Sequence, residues 1–389
     1  MGEFEGVRAQ VVSLRRRIHE RPELSYREEG TARLVAETLR SMGIEVHEGV
    51  GGTGVMGVLK GTMPGKVVAL RADMDALPVK EENDHLPFRS KNEGVMHACG
   101  HDAHVAMLLG AAMLLARRRD RLRGTVKFLF QPAEEDGGRG GALPMIEAGV
   151  MDGPKVDYVF GLHVFSNFPS GVFALRAGAL MAAPDHFKIV VTGRGGHGSE
   201  PHKTVDPIFV SAQLIVALQG IRSRIIDQTE PFVLTVASFH SGTRNNVIPS
   251  EAVLEGTIRT LDEKTRARAK ELVETMARSV CATFGASSRT EFIENAYPVT
   301  VNDAAVTGEV FEVLRGIGST VECGPVLGGE DFSRFLQRAP GSYYFLGTYN
   351  ESKGCVHPNH SSRFDTDEDV LVYGSVSLAE LALRFTEKA

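Results

Sequence analysis

The sequence has few cysteines, little excess of charge of either sign and no long apolar run. Its four cysteines lie at wide, irregular spacing in 389 residues, which is too few for a disulfide-stapled scaffold. Lysine and arginine total 43 against 49 acidic residues, a net charge of -6, so no field attracts nucleic acid or anionic lipid. No apolar run approaches the roughly 20 residues of a membrane helix. We therefore expect neither a nucleic-acid nor a membrane partner.

The N-terminus also lacks the apolar core of a secretory signal. Val7, Val11, Leu14 and Ile18 recur at helical spacing around three consecutive arginines at positions 15–17. This pattern is typical of an amphipathic surface helix. The sequence therefore predicts a cytoplasmic protein whose cysteines are free thiols or ligands.

The length favours two domains, because 389 residues with 42% hydrophobic content exceed the size at which a single core usually keeps growing. Apolar runs at 66–71, 125–131 and 157–163 alternate with helical patterns. The dense apolar segment at 102–117 predicts a buried crossover helix. Such alternation predicts an α/β domain with a mostly parallel sheet and helices on both faces.

A change of pattern interrupts this domain near Pro184. From there the sequence predicts two helices and several strands in about 110 residues, which is typical of an α+β domain. The βα pattern then resumes. We therefore predict a mostly parallel α/β domain over 1–183 and 294–389, interrupted by a smaller α+β domain over 184–293.

Residues able to bind metal or move protons follow three of the predicted strands. Asp73 and Asp75 come after the first, Glu134 and Glu135 after the second, and His163 ends the third. Ligands of open α/β sheets bind outside the carboxyl ends of the strands. One acidic residue at a strand end is more often a solvated charge or a helix cap, but three such ends together indicate a site.

A thiol, three imidazoles and a carboxylate lie within residues 96–104. Imidazole and thiolate suit zinc and neighbouring transition metals. Cys99 and His101, two residues apart, can converge on one point. For His97 and His104 we favour packed or surface histidines, and for Asp102 a cap of the next helix.

Three segments carry further candidate residues. Glu134 and Glu135 leave a strand, so one can ligate metal while the other takes a proton from water. The loop histidines His357 and His360 could supply one more ligand. His197 lies in a glycine-rich turn at 193–199, which allows a close backbone approach or simply forms a tight hairpin.

Motifs in the same order along nearly the whole chain resemble the M20 metallopeptidases. Within them, the chain is similar to the amidohydrolase subfamily of aminoacylases, hippurate hydrolases, auxin-conjugate hydrolases and thermostable carboxypeptidases, and looks closest to the archaeal thermostable carboxypeptidases. The matching segments are HERPELS (19–25), RADMDALP (71–78), MHACGHDAH (96–104), QPAEE (131–135), 161–164, GGHGSEPHKTVDP (195–207), NVIP (246–249), GTIR (256–259), GEDF (329–332) and 359–364.

The resemblance implies a dinuclear metal site with an adjacent base. Glu134 matches the general base, and Asp75 matches the residue that orients a ligating imidazole. Asp73 stands where many relatives have a metal-binding histidine, and Cys99 supplies the missing ligand. Ser362 stands where many relatives have proline. The implied metal ligands are Cys99, His101, Glu135, His163 and His360.

The resemblance also implies that the inserted domain is a lid and dimerisation domain. His197 would reach the catalytic cleft when the domains close and polarise the scissile carbonyl. Arg259 and Asn246 match positions that engage the carboxylate end or amide oxygen of the substrate. We expect a homodimer or homotetramer.

The expected activity is metal-dependent hydrolysis of the amide bond of N-acyl amino acids and/or C-terminal residues of short peptides, through metal-activated water with Glu134 as base. The expected cofactors are two divalent ions, zinc first, with cobalt or manganese as alternatives. Other hypotheses are a strict aminoacylase without peptidase activity, a non-catalytic binding member of the fold, and a cysteine hydrolase with Cys99 as nucleophile.

Overall fold

The computed structural model describes residues 2–293 and 296–388 and divides into two compact units. The first unit contains Met1–Leu180, Thr300–Gly324 and Asp331–Ala389, and the second contains Met181–Val299 and Pro325–Glu330. The predicted domain limit between 293 and 294 borders Glu294, which lies outside the described residues. The residue limits of the predicted domains, 1–183, 184–293 and 294–389, therefore stay a prediction.

The helices and strands of the two units are numbered in chain order. The helices are α1 (Gly2–His19), α2 (Glu29–Ser41), α3 (His101–Arg117), α4 (Ala142–Glu147), α5 (Pro207–Gly220), α6 (Glu263–Thr283), α7 (Ala304–Arg315), α8 (Ser333–Leu336) and α9 (Leu371–Thr386). The strands are β1 (Glu45–Val50), β2 (Gly54–Lys60), β3 (Met63–Asp73), β4 (Arg123–Gln131), β5 (Tyr158–Pro169), β6 (Phe173–Leu175), β7 (Gly178–Met181), β8 (Ala183–Thr192), β9 (Gly196–His197), β10 (Phe232–Ser241), β11 (Val247–Ile248), β12 (Glu251–Thr260), β13 (Ser287–Phe292), β14 (Thr300–Asn302), β15 (Thr320–Glu322) and β16 (Gly341–Tyr349).

An eight-stranded sheet forms the centre of the first unit, in the order β1-β2-β4-β3-β5-β16-β6-β15. The strands β4, β3, β5 and β16 pair in parallel, while β1 and β2 pair antiparallel at one side. The central strands are apolar and buried, as strands covered on both faces must be. The helix α3 is almost wholly buried and packs on α1, α9 and β3. The predicted α/β class and the buried crossover helix are confirmed.

The register of the central strands aligns the predicted site residues. Asp73 in β3 lies opposite Gln131 in β4, and Arg71 lies opposite Gly161 in β5, so β5 brings His163 to the level of Asp73. The prediction that His163 ends its strand was wrong. The strand β5 runs on to Pro169 because it stays paired with β16 to the end.

A four-stranded antiparallel sheet, in the order β10-β12-β8-β13, forms the second unit. The helices α5 and α6 pack against each other and against this sheet, and their buried apolar residues share one hydrophobic core with it. A separate two-stranded ribbon pairs β9 with β11. The predicted α+β character of the insert is confirmed.

The segment Pro207–Ile225 is formed by α5 and a following π-helical turn. It is more apolar than the sequence analysis predicted. By length and composition alone it could cross a membrane, and 28% of its most apolar stretch is buried. The prediction that no apolar run approaches membrane length was therefore wrong for this segment. A single such helix is weak evidence for a membrane span, because a core helix of a globular protein can have the same length and composition.

Candidate metal centre

The turn before α3 brings Cys99 and His101 to β5. Gly100, between them, has φ 89°, and a Cβ at this position would lie 2.3 Å from a methyl carbon of Val164. Only glycine fits both the left-handed backbone and this close approach. Cys99 and His101 are therefore held next to the strand that carries His163.

Five predicted ligands and the predicted base lie in overlapping groups of donor atoms. Each group has its donor atoms within 4.8 Å of one another. Cys99 Sγ lies 3.3 Å from His163 Nε2, and Glu135 Oε1 lies 3.3 Å from His360 Nε2 and 3.9 Å from His101 Nε2. Three of the groups are Cys99, His101 and His163; Cys99, Glu135 and His360; and His101, Glu134 and Glu135.

The donor chemistry and the local charge fit divalent cations. Within the described part of the chain, the buried His101 Nε2 has no hydrogen-bond partner. Burial alone would lower the pKa of His101, but Asp73, Asp75 and Glu135 outweigh it and raise that pKa to about 10. The centre therefore favours positive charge at this imidazole. Thiolate, imidazole and carboxylate together suit zinc and its neighbours.

The pKa values of the two innermost donors move in opposite directions. Burial raises the pKa of the Cys99 thiol well above its usual range, and the carboxylates of Glu135 and Glu134 raise it further. Burial lowers the pKa of His163 well below its usual range, which keeps this imidazole neutral. His163 Nδ1 donates to its neighbouring carbonyl, Val164 O, at 2.6 Å, so Nε2 is the ring nitrogen that faces Cys99.

Asp75 supports both the imidazole and the turn that carries the two glutamates. Its Oδ1 lies 3.3 Å from His101 Nδ1 and accepts the backbone N–H of Glu134 at 3.0 Å. Its Oδ2 accepts the backbone N–H of Glu135 at 2.9 Å and the hydroxyl of Ser25 at 2.7 Å. A single buried carboxylate thus fixes the orientation of one proposed ligand and the backbone of two glutamates.

Asp73 faces cationic and imidazole partners, and its carboxylate forms a further group of possible metal donors with His101 and His104. Arg71 Nη1 and His104 Nδ1 each lie 2.6 Å from its carboxylate. Burial alone would raise the pKa of Asp73, but Arg71 and the neighbouring imidazoles outweigh it and lower that pKa well below its usual range. His104 Nε2 in turn accepts the backbone N–H of Val164 at 2.8 Å. His104 is therefore a packed residue that anchors β5, which is one of the two alternatives predicted for it.

Asp102 does not cap α3. The helix begins at His101, and its first turn has no side-chain cap. The Asp102 carboxylate is fully buried and accepts from Arg15 Nε and His19 Nδ1, both at 2.8 Å, because α1 brings these two cationic groups against the first turn of α3. His97 is also buried, so of the two predicted alternatives, a packed or a surface histidine, it is the packed one.

His360 is the most exposed of the proposed ligands, with 57% of its side chain accessible. Its backbone has φ 70°, and its N–H donates to Ala98 O at 2.7 Å. Ser362, which departs from the proline of many relatives, donates its hydroxyl to Glu82 at 2.9 Å, a contact that proline cannot make. His357 belongs to none of the donor groups found among the described residues.

The second unit carries His197, Asn246 and Arg259. The exposed His197 pairs with Val247 in the β9–β11 ribbon, and Gly198 N–H donates to Asn246 O at 2.9 Å. Arg259 lies in β12, and its buried Nη1 has no hydrogen-bond partner within residues 2–293 and 296–388. The ribbon therefore brings His197 and Asn246 together, while Arg259 lies in a different sheet.

Two residues near the donors were missed by the sequence reading. Asn359 Nδ2 donates to Cys99 O and Val164 O, at 3.1 and 3.2 Å, and so joins the segments that carry three of the proposed ligands. The buried Glu28 accepts the backbone N–H of Ala133 at 2.9 Å. Glu28 had no signal of its own because it is one acid in a charged run. Asn359 lies in the matching segment 359–364, but the resemblance gave it no role.

Comparison with known proteins identifies the family. The model described as Peptidase family M20/M25/M40 matches residues 69–384. Thermostable carboxypeptidase 2 of Saccharolobus solfataricus is 58% identical over 379 residues, 97% of this chain and 96% of that protein. N-acyl-L-amino acid amidohydrolase of Geobacillus stearothermophilus is 48% identical over 293 residues, 75% of this chain and 78% of that protein. The crystal structure of a Bacillus subtilis protein, described as a dinuclear metal binding peptidase from M20 family, has a TM-score of 0.86 and 35% identity, over 98% of this chain and 99% of that chain.

The family match begins before Asp73 and ends beyond His360. It therefore includes the whole donor cluster, and the predicted resemblance is confirmed. The chain belongs to peptidase family M20/M25/M40 and is a hydrolase of its metallopeptidase and amidohydrolase class.

Proposed function

We propose that this protein hydrolyses the amide bond next to a free amino-acid carboxylate, in N-acyl amino acids and in short peptides at their C-terminus. The observation that carries the proposal is the convergence of one thiol, three imidazoles and two glutamates on overlapping donor groups. The names of two relatives, a carboxypeptidase and an N-acyl-L-amino acid amidohydrolase, support this substrate class.

Two divalent ions are the proposed cofactors. Cys99, His101, Glu135, His163 and His360 would hold them, and the dinuclear relative supports the number. When bound, such ions lower the pKa of water and polarise a carbonyl. Zinc is the first candidate because thiolate and imidazole are among the ligands, and cobalt and manganese are the alternatives.

Glu134 is the proposed general base. It would take a proton from the attacking water and deliver it to the nitrogen of the leaving amine. The side chain is buried, with 8% exposed, and Asp75 holds its backbone N–H. Because Asp75 also contacts His101, one carboxylate would fix the position of the base relative to a metal ligand.

His197 is the proposed catalytic donor, and Asn246 and Arg259 are the proposed substrate-binding residues. The backbone N–H of Ser199 donates to His197 Nδ1 at 3.1 Å, so in the neutral ring Nε2 carries the hydrogen. This N–H can donate to the oxygen of the scissile carbonyl. Burial lowers the pKa of Arg259, and its unpartnered Nη1 favours a carboxylate as ligand.

Cysteine catalysis is the weaker alternative. A nucleophilic cysteine needs a lowered pKa, whereas burial raises the pKa of Cys99 well above its usual range. A non-catalytic binding protein is also disfavoured, since every residue of the proposed donor set and the base are present. A strict aminoacylase without peptidase activity is the remaining alternative. Assays on N-acyl amino acids and on dipeptides distinguish it from the proposed function.

The test is a substrate panel on metal-reconstituted protein. N-acetyl, N-benzoyl and benzyloxycarbonyl amino acids are assayed beside dipeptides, each with its C-terminal carboxylate free or amidated. We expect hydrolysis that requires the free carboxylate, is lost with chelator and returns with zinc, cobalt or manganese. Full activity after chelation, or equal rates on the amidated substrates, would contradict the proposal. Activity on N-acyl amino acids alone would select the strict aminoacylase.

We also propose a cytoplasmic homodimer or homotetramer that pairs through the second unit. The strand β10 is an edge of its sheet, and exposed edges favour association. The segment Pro207–Ile225 exposes Phe209 (50%), Val216 (72%) and Ile225 (46%). Light scattering should give a mass of two or four chains, and a monomer at all concentrations would contradict the pairing.

A further inference from the structure

Three residues other than glycine have positive φ in the described part of the chain: Tyr26 (62°), Ala133 (53°) and His360 (70°). Two of them are bound by the same atom. Glu28 Oε1 accepts the backbone N–H of Tyr26 and of Ala133, each at 2.9 Å. Glu28 itself is fully buried, and its Oε2 accepts the hydroxyl of Thr53. One buried carboxylate therefore holds two strained backbone positions.

The strain at Ala133 lies directly before the two glutamates. Ala133 adopts the left-handed conformation, with φ 53° and ψ 41°, and turns the chain from β4 into the short 3-10 helix Glu134–Asp136. A Cβ makes this conformation unfavourable, so contacts elsewhere must maintain it. The backbone N–H groups of residues 133, 134 and 135 all donate to two buried carboxylates, those of Glu28 and Asp75.

We propose that Glu28 is a positioning residue for the metal centre. By binding the N–H of Ala133, it keeps this residue left-handed, so that Glu134 and Glu135 both face the donor cluster. Asp75 alone cannot do this, because in this turn it accepts the backbone N–H groups of Glu134 and Glu135, which follow the strained residue. The inference rests on the proposed function, since it takes Glu135 as ligand and Glu134 as base.

The experiment replaces the carboxylate without changing its size much. Glu28→Met removes the acceptor, and we expect metal binding at the Glu135 site to weaken about 10-fold to 100-fold, as for other residues that support metal ligands. Glu28→Gln keeps an acceptor oxygen and should bind metal nearly as the parent does. Glu29→Met, the same change at the exposed neighbour, is the control. Affinity is measured by chelator competition, and the visible absorption of bound Co²⁺ reports the coordination geometry.

A second substitution separates positioning from general stabilisation. Glycine adopts the left-handed conformation without penalty, so adding Ala133→Gly to Glu28→Met should recover about 5-fold to 30-fold in metal affinity, the range that corresponds to a left-handed penalty of roughly 1–2 kcal/mol. It should also restore the Co²⁺ spectrum. A merely structural role for Glu28 predicts no recovery, because glycine makes the unfolded chain more flexible.

Several results would overturn the inference. These are parent-like metal affinity in Glu28→Met, an equal loss in Glu29→Met, or no recovery with Ala133→Gly. If Glu28→Met does not fold, Ala133→Val in the parent replaces it, since a branched side chain raises the cost of the left-handed turn, and unchanged affinity there would also overturn it. A parent protein that binds no metal would instead contradict the proposed function.

Discussion

The two units present their candidate residues in opposite ways. In the first unit the donors are mostly buried, with Cys99 8% and His101 0% exposed, and further buried groups such as Asp75 support them. In the second unit, His197 and Asn246 are exposed on a two-stranded ribbon. Buried donors of fixed geometry suit a permanent metal, whereas exposed groups suit a transient substrate. Substitutions in the two regions should therefore fail in different ways.

The largest expected loss of turnover comes from a substitution in the first unit, Glu134→Gln. Glu134→Gln removes the proton acceptor but no proposed ligand, so kcat should fall about 100-fold to 10,000-fold while both metals stay bound. Kinetics and metal analysis on the same sample check this. Glu93→Gln, an exposed glutamate, is the matched control. Turnover near the parent rate in Glu134→Gln would remove Glu134 as the base.

A smaller loss is expected in the second unit. His197→Ala removes one donor to the developing oxyanion, so kcat should fall about 100-fold to 1000-fold. KM should move less, because the contact serves the transition state, and both metals should be retained. His202→Ala, an exposed histidine in the same region, is the control. Unchanged kinetics would make His197 a bystander, and lost metal would make it a ligand.

The smallest effect concerns stability rather than turnover. Burial alone would lower the pKa of His19, but the carboxylate of Asp102 outweighs it and raises that pKa from 6.5 to about 9. A raised histidine pKa stabilises the folded state fully below pH 6.5, and this contribution is lost as the pH rises through about 9. Its size by linkage is up to roughly 3 kcal/mol.

The pH effect is measured as the difference in the free energy of unfolding between the parent and His19→Gln. Urea unfolding of the chelated proteins at pH 6, 7.5 and 9.5 should show a stability gap that narrows with increasing pH. The difference cancels other groups that titrate in this range, and His47→Gln, an exposed histidine, is the control. A gap that does not change with pH would show that the charge of His19 contributes nothing.

Local patterns predicted most of the fold because they follow from the chain itself. The runs at 66–71 and 125–131 became the strands β3 and β4, and the apolar segment at 102–117 became α3. The end of β5 could not be predicted, since pairing with the distant β16 extends it beyond His163. The sequence reading therefore found the element but not its end.

The sequence predicted those site residues whose chemistry follows from their residue type. It missed the residues whose role depends on contacts with distant parts of the chain. Cys99 and the histidines stood out because thiol and imidazole are few and suit metals. Glu28 did not stand out, because its task depends on a backbone conformation 105 residues away. Asp102 was misread as a cap because its partners, Arg15 and His19, come from another helix.

The metal content of three proteins tests the central claim most directly, that the first unit holds two metals through Cys99 and its neighbours. Parent, Cys99→Ser and His197→Ala are reconstituted with zinc, freed of excess and analysed for metal per chain. We expect two ions per chain in the parent and in His197→Ala, and fewer in Cys99→Ser, because serine does not replace a thiolate ligand. Equal metal content in Cys99→Ser and the parent would contradict the account.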